Sequence, residues 1–283
     1  MSTEQTLLTD DDRRSLRALA YNLKYKHSRD ALDELISDSM MNIDTSPYLM
    51  EKQLEDLSGL REHVYHCCVN SCVLFAGDYI FRTHCPICEE PRYDNRNKPR
   101  NIFRYIPIIP RLQAMFKSKR MIQMLDYRSN LEAYSGIMRD VFDSEHFREL
   151  LEKNVTINGE ELPYKIGEHR DDLFIGFSFD GVSLYRGLGV EQRRTSLSCW
   201  PAFAIMYSIS PTLRTRLEHV MCLGIIPGPH SPKITNSFLY PFFEECSRGA
   251  IGIPTYHSVE DRMFSLHFYP IFTSMDILAS IKA

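Results

Sequence analysis

The apolar positions of this 283-residue chain change rhythm along its length, and each rhythm predicts a different kind of element. Between residues 10 and 40 they recur at three- and four-residue intervals. Leu16, Leu19, Ala20 and Leu23 share one helical face, and Leu32, Leu35 and Ile36 share another. Ser28 and Asp30 stand at the break as candidate caps. Residues 41–62 read as a linker leading into a further short helix. Residues 95–110 contain three prolines, which predicts an extended connection, and 112–125 return to helical spacing. Residues 131–170 are acidic and mixed, with Asn158-Gly159 marking a hairpin turn between short strands.

From residue 173 the grammar becomes that of strands. LFIGFSFDG, SCWPAFAIMYSI (198–209) and HVMCLGIIPG (219–228) are apolar runs of strand length. FLYPFFEECSRG (238–249) has helical length and spacing, which requires Pro241 to sit in its first turn. RMFSLHFYPIFT (262–273) predicts a fourth strand, followed by Asp276 and by DILASIKA as the start of a helix. Three strands, a helix, a fourth strand and a helix are the opening of a ribonuclease-H-like fold.

Candidate chemistry concentrates between these two halves. Five of the eight cysteines fall between residues 67 and 88, and Cys68-x3-Cys72 with Cys85-Pro-Ile-Cys88 form two close thiol pairs. Paired thiols on two tight turns suit a tetrahedral zinc ion. A redox CPxC pair is a second reading, but that chemistry uses a helix N-terminus, and Pro91 discourages a helix after Cys88. Unligated buried thiols are the third. Cys67, His66 and His84 lie close enough in sequence to substitute as ligands. Cys199, Cys222 and Cys246 sit singly in apolar contexts and read as core residues.

Composition narrows the class. With 43% hydrophobic and 25% charged residues the chain reads as globular. Its N-terminus lacks the apolar stretch of a signal peptide, and no apolar run approaches the ~18 residues of a membrane span. The expectation is a reduced, intracellular protein without a membrane partner. Net charge is only −4, yet residues 92–128 carry ten bases against two acids, interleaved with Tyr93, Phe103, Tyr105, Phe116 and Tyr127. That stretch could contact nucleic-acid phosphates through Arg92, Arg96, Lys98, Arg100, Arg104, Arg111, Lys117, Lys119 and Arg120, or form a solvated surface. IIPGPHSPK lacks the Gly-Lys-Ser/Thr of a phosphate loop and reads as a turn. His230 and His257 show no partners in sequence, and Trp200 reads as a core residue beside the second strand.

Several blocks together resemble the CACTA-type (En/Spm-like) transposases. CCVNSC and HCPICEEPRY are similar to that family's paired-cysteine module, and FRYIPIIPRLQAMF to its proline-rich segment. DVFDSEHFREL resembles a short acidic motif of one branch. FSFDGVSLYR, CWPAFAIMYSISP, LGIIPGPHSPK and FLYPFFEE resemble consecutive blocks of its catalytic half. The resemblance spans most of 12–283. It departs from the family at Glu89-Glu90, where glycine is frequent, and at Leu278, where proline is usual.

The resemblance implies a helical region over 1–62, a zinc-binding module over 63–93 and a basic, proline-rich connector with a mixed region over 94–170. It implies an incomplete ribonuclease-H-like core over 171–283, in an α/β chain. It further implies metal-dependent cleavage and strand transfer of DNA at transposon ends, a nuclear location and room for a homo-oligomer. Asp180 and Asp276 match two carboxylates that would hold Mg²⁺ or Mn²⁺. The third lies in a region the family places beyond Ala283, so little catalysis is expected from these residues alone. Without the resemblance, Asp180-Gly181 is an ordinary turn and Asp276 an N-cap. The alternative function is a non-catalytic, zinc-dependent DNA- or protein-binding remnant of such an enzyme.

Overall fold

The helical rhythm of the first sixty residues resolves into α1 (Asp10–Tyr25), α2 (Arg29–Ser37) and α3 (Pro47–Ser58) in a computed structural model. It describes residues 8–37, 43, 45–131, 137–183, 198–228 and 230–274. Residues 1–61 and 62–283 form two compact units. The helix starts in the first unit are capped by short polar side chains. Thr9 and Asp12 form a reciprocal capping box on α1, Ser28 Oγ accepts the Ala31 N–H, and Ser46 caps α3 ahead of Pro47. Ala18 and Leu19 pack with Leu32, Ile36 and Met50. The buried stripe of α1 is therefore Ser15, Ala18 and Leu19, shifted from the expected face, and Leu23 is 71% exposed. Small residues at 15 and 18 permit close helix approach, which outweighs the count of leucines.

The second unit is organised by a mixed sheet. Its elements are β1 (His63–His66), β2 (Ile102–Tyr105), α4 (Ile109–Met115), α5 (Lys119–Leu125), α6 (Glu145–Leu151), β3 (Asn154–Ile157) and β4 (Glu160–Lys165). Then follow β5 (Leu173–Phe179), β6 (Val182–Ser183), β7 (Ser198–Met206), α7 (Pro211–Arg214), β8 (Val220–Ile226) and α8 (Thr235–Ile251). Last come β9 (Ile253–His257), β10 (Arg262–Leu266) and β11 (Phe268–Ser274). The sheet order is β1-β2-β8-β7-β5-β11, with β6 on β7. Every pairing is antiparallel except β5 with β11, which runs parallel in the register Phe268↔Leu173 to Ser274↔Ser178.

β5 is buried on both faces, which explains its unbroken apolar run. Leu173, Ile175, Phe177 and Phe179 join the core that includes Phe238, Leu239, Phe242 and Cys246 of α8. Phe174 joins a separate cluster with Phe142, Phe147, Val155 and Tyr269. Helix α8 lies very close to the sheet, because a Cβ on Gly249 would sit 2.0 Å from the Phe268 ring.

Buried polar groups tie distant segments together. Glu245 of α8 accepts the Tyr105 hydroxyl and the N–H groups of Ile108 (2.9 Å) and Ile109 (3.1 Å), which caps the start of α4. Asp140, the first residue of DVFDSEHFREL, forms a buried two-pronged ion pair with Arg214 at 3.0 and 2.6 Å. Arg214 also donates to the carbonyls of Tyr207 and Ile209, so its fork is well satisfied. That acidic motif therefore organises structure at Asp140.

Two expectations change. The run 262–273 is not one strand: β10 folds back on β9 as a hairpin, and β11 leaves for the main sheet. The break is His267, buried beside Asp172 (3.3 Å) and stacked on His169. Helix α8 begins at Thr235, which places Pro241 inside the helix instead of its first turn. Tertiary burial of Phe238, Leu239, Pro241 and Phe242 holds the helix across the missing N–H. Strands β1 and β2 extend the same sheet as β5, β7 and β8 within the second unit.

Candidate metal centre and nucleic-acid interface

Each thiol pair sits on a tight turn framed by a single β-bridge, Cys67↔Leu74 around the first and His84↔Pro91 around the second. In the first turn the Ser71 N–H bonds the Cys68 carbonyl (2.8 Å), and Ser71 adopts φ +57°. In the second the Glu89 N–H bonds the Cys85 carbonyl (3.0 Å), and Glu89 adopts φ +60°. A left-handed backbone favours glycine, yet both turns hold a non-glycine residue in that region. No helix starts at Cys85, which removes the geometric basis for a redox CPxC pair.

The sulfurs of Cys68, Cys72, Cys85 and Cys88 all lie within 4.8 Å of one another, with Cys68 and Cys88 at 3.4 Å. A tetrahedral zinc–thiolate site needs sulfur separations of about 3.8 Å, so the four residues fit that ion. Donors already point at the sulfurs: the Asn70 N–H reaches Cys68 (3.4 Å) and its side-chain amide reaches Cys88 (3.6 Å). Burial raises the Cys68 thiol to about 11, partly offset by backbone donors at Cys72 and Asn70. Burial also pushes Cys72 upward, aided by the neighbouring thiols. At Cys88 burial acts in the same direction, but hydrogen bonds from Glu90, Asn70, Cys68 and Cys85 outweigh it and bring the thiol to about 7.

The substitute ligands are otherwise engaged. His66 accepts from Arg92 Nε (3.0 Å), His84 pairs with Thr83, and burial carries Cys67 to about 12 beyond the cluster. The module is fixed to the sheet unit: the Cys72 carbonyl accepts the Lys233 and Ile234 N–H groups, and Ser237 Oγ accepts from Leu74.

Asp180 follows the last residue of β5, is exposed, and accepts the Gly181 N–H at 2.7 Å. Trp200 leans on this turn, since a Cβ on Gly181 would lie 2.5 Å from Trp200 Nε1. Asp276 lies outside the described residues. The last described pair on its strand is Ser274 with Ser178.

The basic stretch divides into two populations. Arg92 donates to His66 and the Ile80 carbonyl (2.7 Å) and stacks on Phe75 and Tyr93. Arg111 donates to the carbonyls of Ile106, Pro107 and Cys222. Both hold neighbouring segments together through these bonds. Arg100 pairs with Glu90 (2.5 Å) and Arg104 with Glu62. Arg96, Lys98, Lys117, Lys119 and Arg120 are exposed.

A second ligand-like group escaped the sequence: Asp171, His257 and Glu260 gather within 4.8 Å. His257, which shows no partner in sequence, is buried and lies against Phe116 and Phe264. Its Nδ1 accepts the Glu260 N–H (3.1 Å), so the ring carries its proton on Nε2. A histidine that binds metal through Nε2 instead donates from Nδ1, so this group is a hydrogen-bonded lock. No helix among the described residues is long and apolar enough to cross a membrane. Compared with family models, with curated proteins and with solved structures, the chain matches none of them.

Proposed function

We propose that residues 62–283 carry a ribonuclease-H-like DNA-processing core of transposase type, with a structural zinc ion in the four-cysteine cluster. The observation that carries this reading is the strand arrangement. β5, β7 and β8 follow one another antiparallel, α8 crosses back, and β11 returns parallel on the other side of β5. Numbered one to four in chain order, those strands lie in the order 3-2-1-4, with Asp180 at the carboxyl end of strand one. Asp276 follows Ser274 by the same two residues that separate Asp180 from Ser178.

Mg²⁺ or Mn²⁺ held by such carboxylates polarises a scissile phosphate and activates water or a 3′-hydroxyl. The described residues supply one of the ligands, Asp180, whose exposed position leaves its outer oxygen available to an ion. The resemblance to CACTA-type transposases supports DNA as substrate, as do the exposed cations at 96, 98, 117, 119 and 120. A nuclear location follows from the same reading, and imaging of a tagged chain tests it.

The deciding experiment is cleavage of labelled DNA by the purified protein with Mg²⁺ or Mn²⁺, beside Asp180→Ala. Metal-dependent cleavage that the substitution abolishes supports the enzyme reading. Cleavage that survives places the chemistry elsewhere. The second reading is a non-catalytic, zinc-dependent DNA-binding protein, favoured by the four-cysteine cluster and the exposed cations at 96, 98, 117, 119 and 120. It expects salt-sensitive binding without cleavage, unchanged by Asp180→Ala.

A further inference from the structure

A cleft of about 780 Å³ opens between α5 and the turn that joins α7 to β8. It brings together residues almost a hundred positions apart. Its floor is apolar, made by Met121 and Met124 one turn apart on α5 and by Leu213 of α7. Its rim is basic, with Arg120 from one side and Arg216 and His219 from the other. Arg216 and His219 are held on one turn by the His219 N–H to Arg216 carbonyl bond (2.9 Å). Both arginines are exposed, and neither appears in an ion pair of the described residues. His219 Nδ1 is buried in the wall with no hydrogen-bond partner, and a buried unpaired ring nitrogen is costly to maintain. Ser118 accepts the Met121 N–H, so the first turn of α5 is capped by its own side chain. The single acid on the rim is Glu218.

An apolar floor under a rim of two guanidiniums and an imidazole matches a ligand with a flat apolar face and an attached anion. Methionines are polarisable and adjust to a π face. Guanidiniums take phosphate oxygens in a fork. The volume falls within the range of pockets that enclose small organic molecules. A base-paired duplex keeps its base faces stacked and would leave the floor uncovered. An unstacked nucleotide covers both parts.

We infer that this cleft holds one nucleotide of single-stranded DNA, with its phosphate between Arg120 and Arg216 and its base on Met121, Met124 and Leu213. His219 lines the rim beside Arg216, and Glu218 disfavours the phosphate on its own side of the rim. The inference rests on the DNA reading above and extends it to a strand-specific subsite, one that joins Arg120 of the basic stretch to residues the stretch does not contain.

The test is fluorescence anisotropy of a labelled oligo(dT) of about 12 nucleotides, titrated with the full chain over a range of salt and beside the matching duplex. Melting temperatures establish that each variant is folded. Arg216→Gln should weaken binding about tenfold and reduce the slope of log affinity against log salt by about 0.7. Met124→Ala should weaken it by about fivefold or more with the slope unchanged. Glu218→Gln should tighten it. The oligonucleotide should compete better than the duplex. If the wild type binds neither DNA, the DNA reading itself fails. If it binds but Arg216→Gln and Met124→Ala leave affinity and slope unaltered, the cleft is overturned while the DNA reading stands. A changed slope with no effect at Met124 reduces the cleft to a phosphate contact and overturns the nucleotide assignment.

Discussion

Cys68, Cys72, Cys85 and Cys88 come from one short stretch, lie close together, and have donors already aimed at their sulfurs. Asp180 stands exposed at the end of a strand and bonds the N–H of its own neighbour. Both are candidate metal ligands, yet only the thiols are arranged as a closed site by local chain geometry. A site made of adjacent turns is built by its own hydrogen bonds. A site made of strand ends depends on strands from distant sequence. The contrast separates a ligand set assembled by adjacent turns from a single carboxylate at a strand end.

The largest effect should come from breaking the first kind. Cys85→Ser, or removal of the ion with a chelator, should lower Tm by about 10 °C or more, because structural zinc contributes folding free energy directly. One zinc per chain by elemental analysis should accompany it. A chain that melts unchanged after chelation would falsify structural zinc. Zinc retention should also depend on pH in a definite direction. Burial holds protons on Cys68 and Cys72, and an ion must displace them, so retention should fall as pH is lowered from 8 to 5. Release that does not change over that interval rules out thiolate ligation.

Two carboxylates sharpen the comparison further. Asp140→Ala should cost about 3–5 kcal/mol in denaturant unfolding, since it strands the buried Arg214 guanidinium. Asp180→Ala should change stability by no more than about 0.5 kcal/mol, because its side chain is exposed. A large loss at Asp180 would make it a structural residue and remove it as a ligand candidate. Between these, Gly181→Ala should cost about 1 kcal/mol and shift the emission of Trp200, the sole tryptophan, whose indole occupies the space of the added methyl. Unmoved emission would show that the turn beside Asp180 has room to spare.

What could be read in the sequence was whatever local spacing determines. The thiol pairs, the Asn158-Gly159 turn (φ +52° and +84°) and the apolar runs of β5, β7 and β8 all follow from neighbours in the chain. What could not be read depends on distant partners. His257 looked unpartnered because Phe116 lies on another element, and the carbonyl acceptors of Arg92 and Arg111 are invisible to charge counting. The split at His267 likewise reflects Asp172, nearly a hundred residues earlier. The cleft rim was missed for the same reason, although the turn TLRTRLEHV carries two bases beyond Arg214 as a local signal.

The carboxylate of Glu245 that closes the start of α4 also sets a clock for biosynthesis. Its partner Ile109 leaves the ribosome 136 residues ahead of it, which at ordinary elongation rates is a wait of about 10–30 s. Throughout that interval the cysteine turns are already made and α4 has no cap, while the central strands β5, β7 and β8 are added one after another. The nascent chain therefore completes its four-cysteine cluster first and carries it to the sheet that will later receive it.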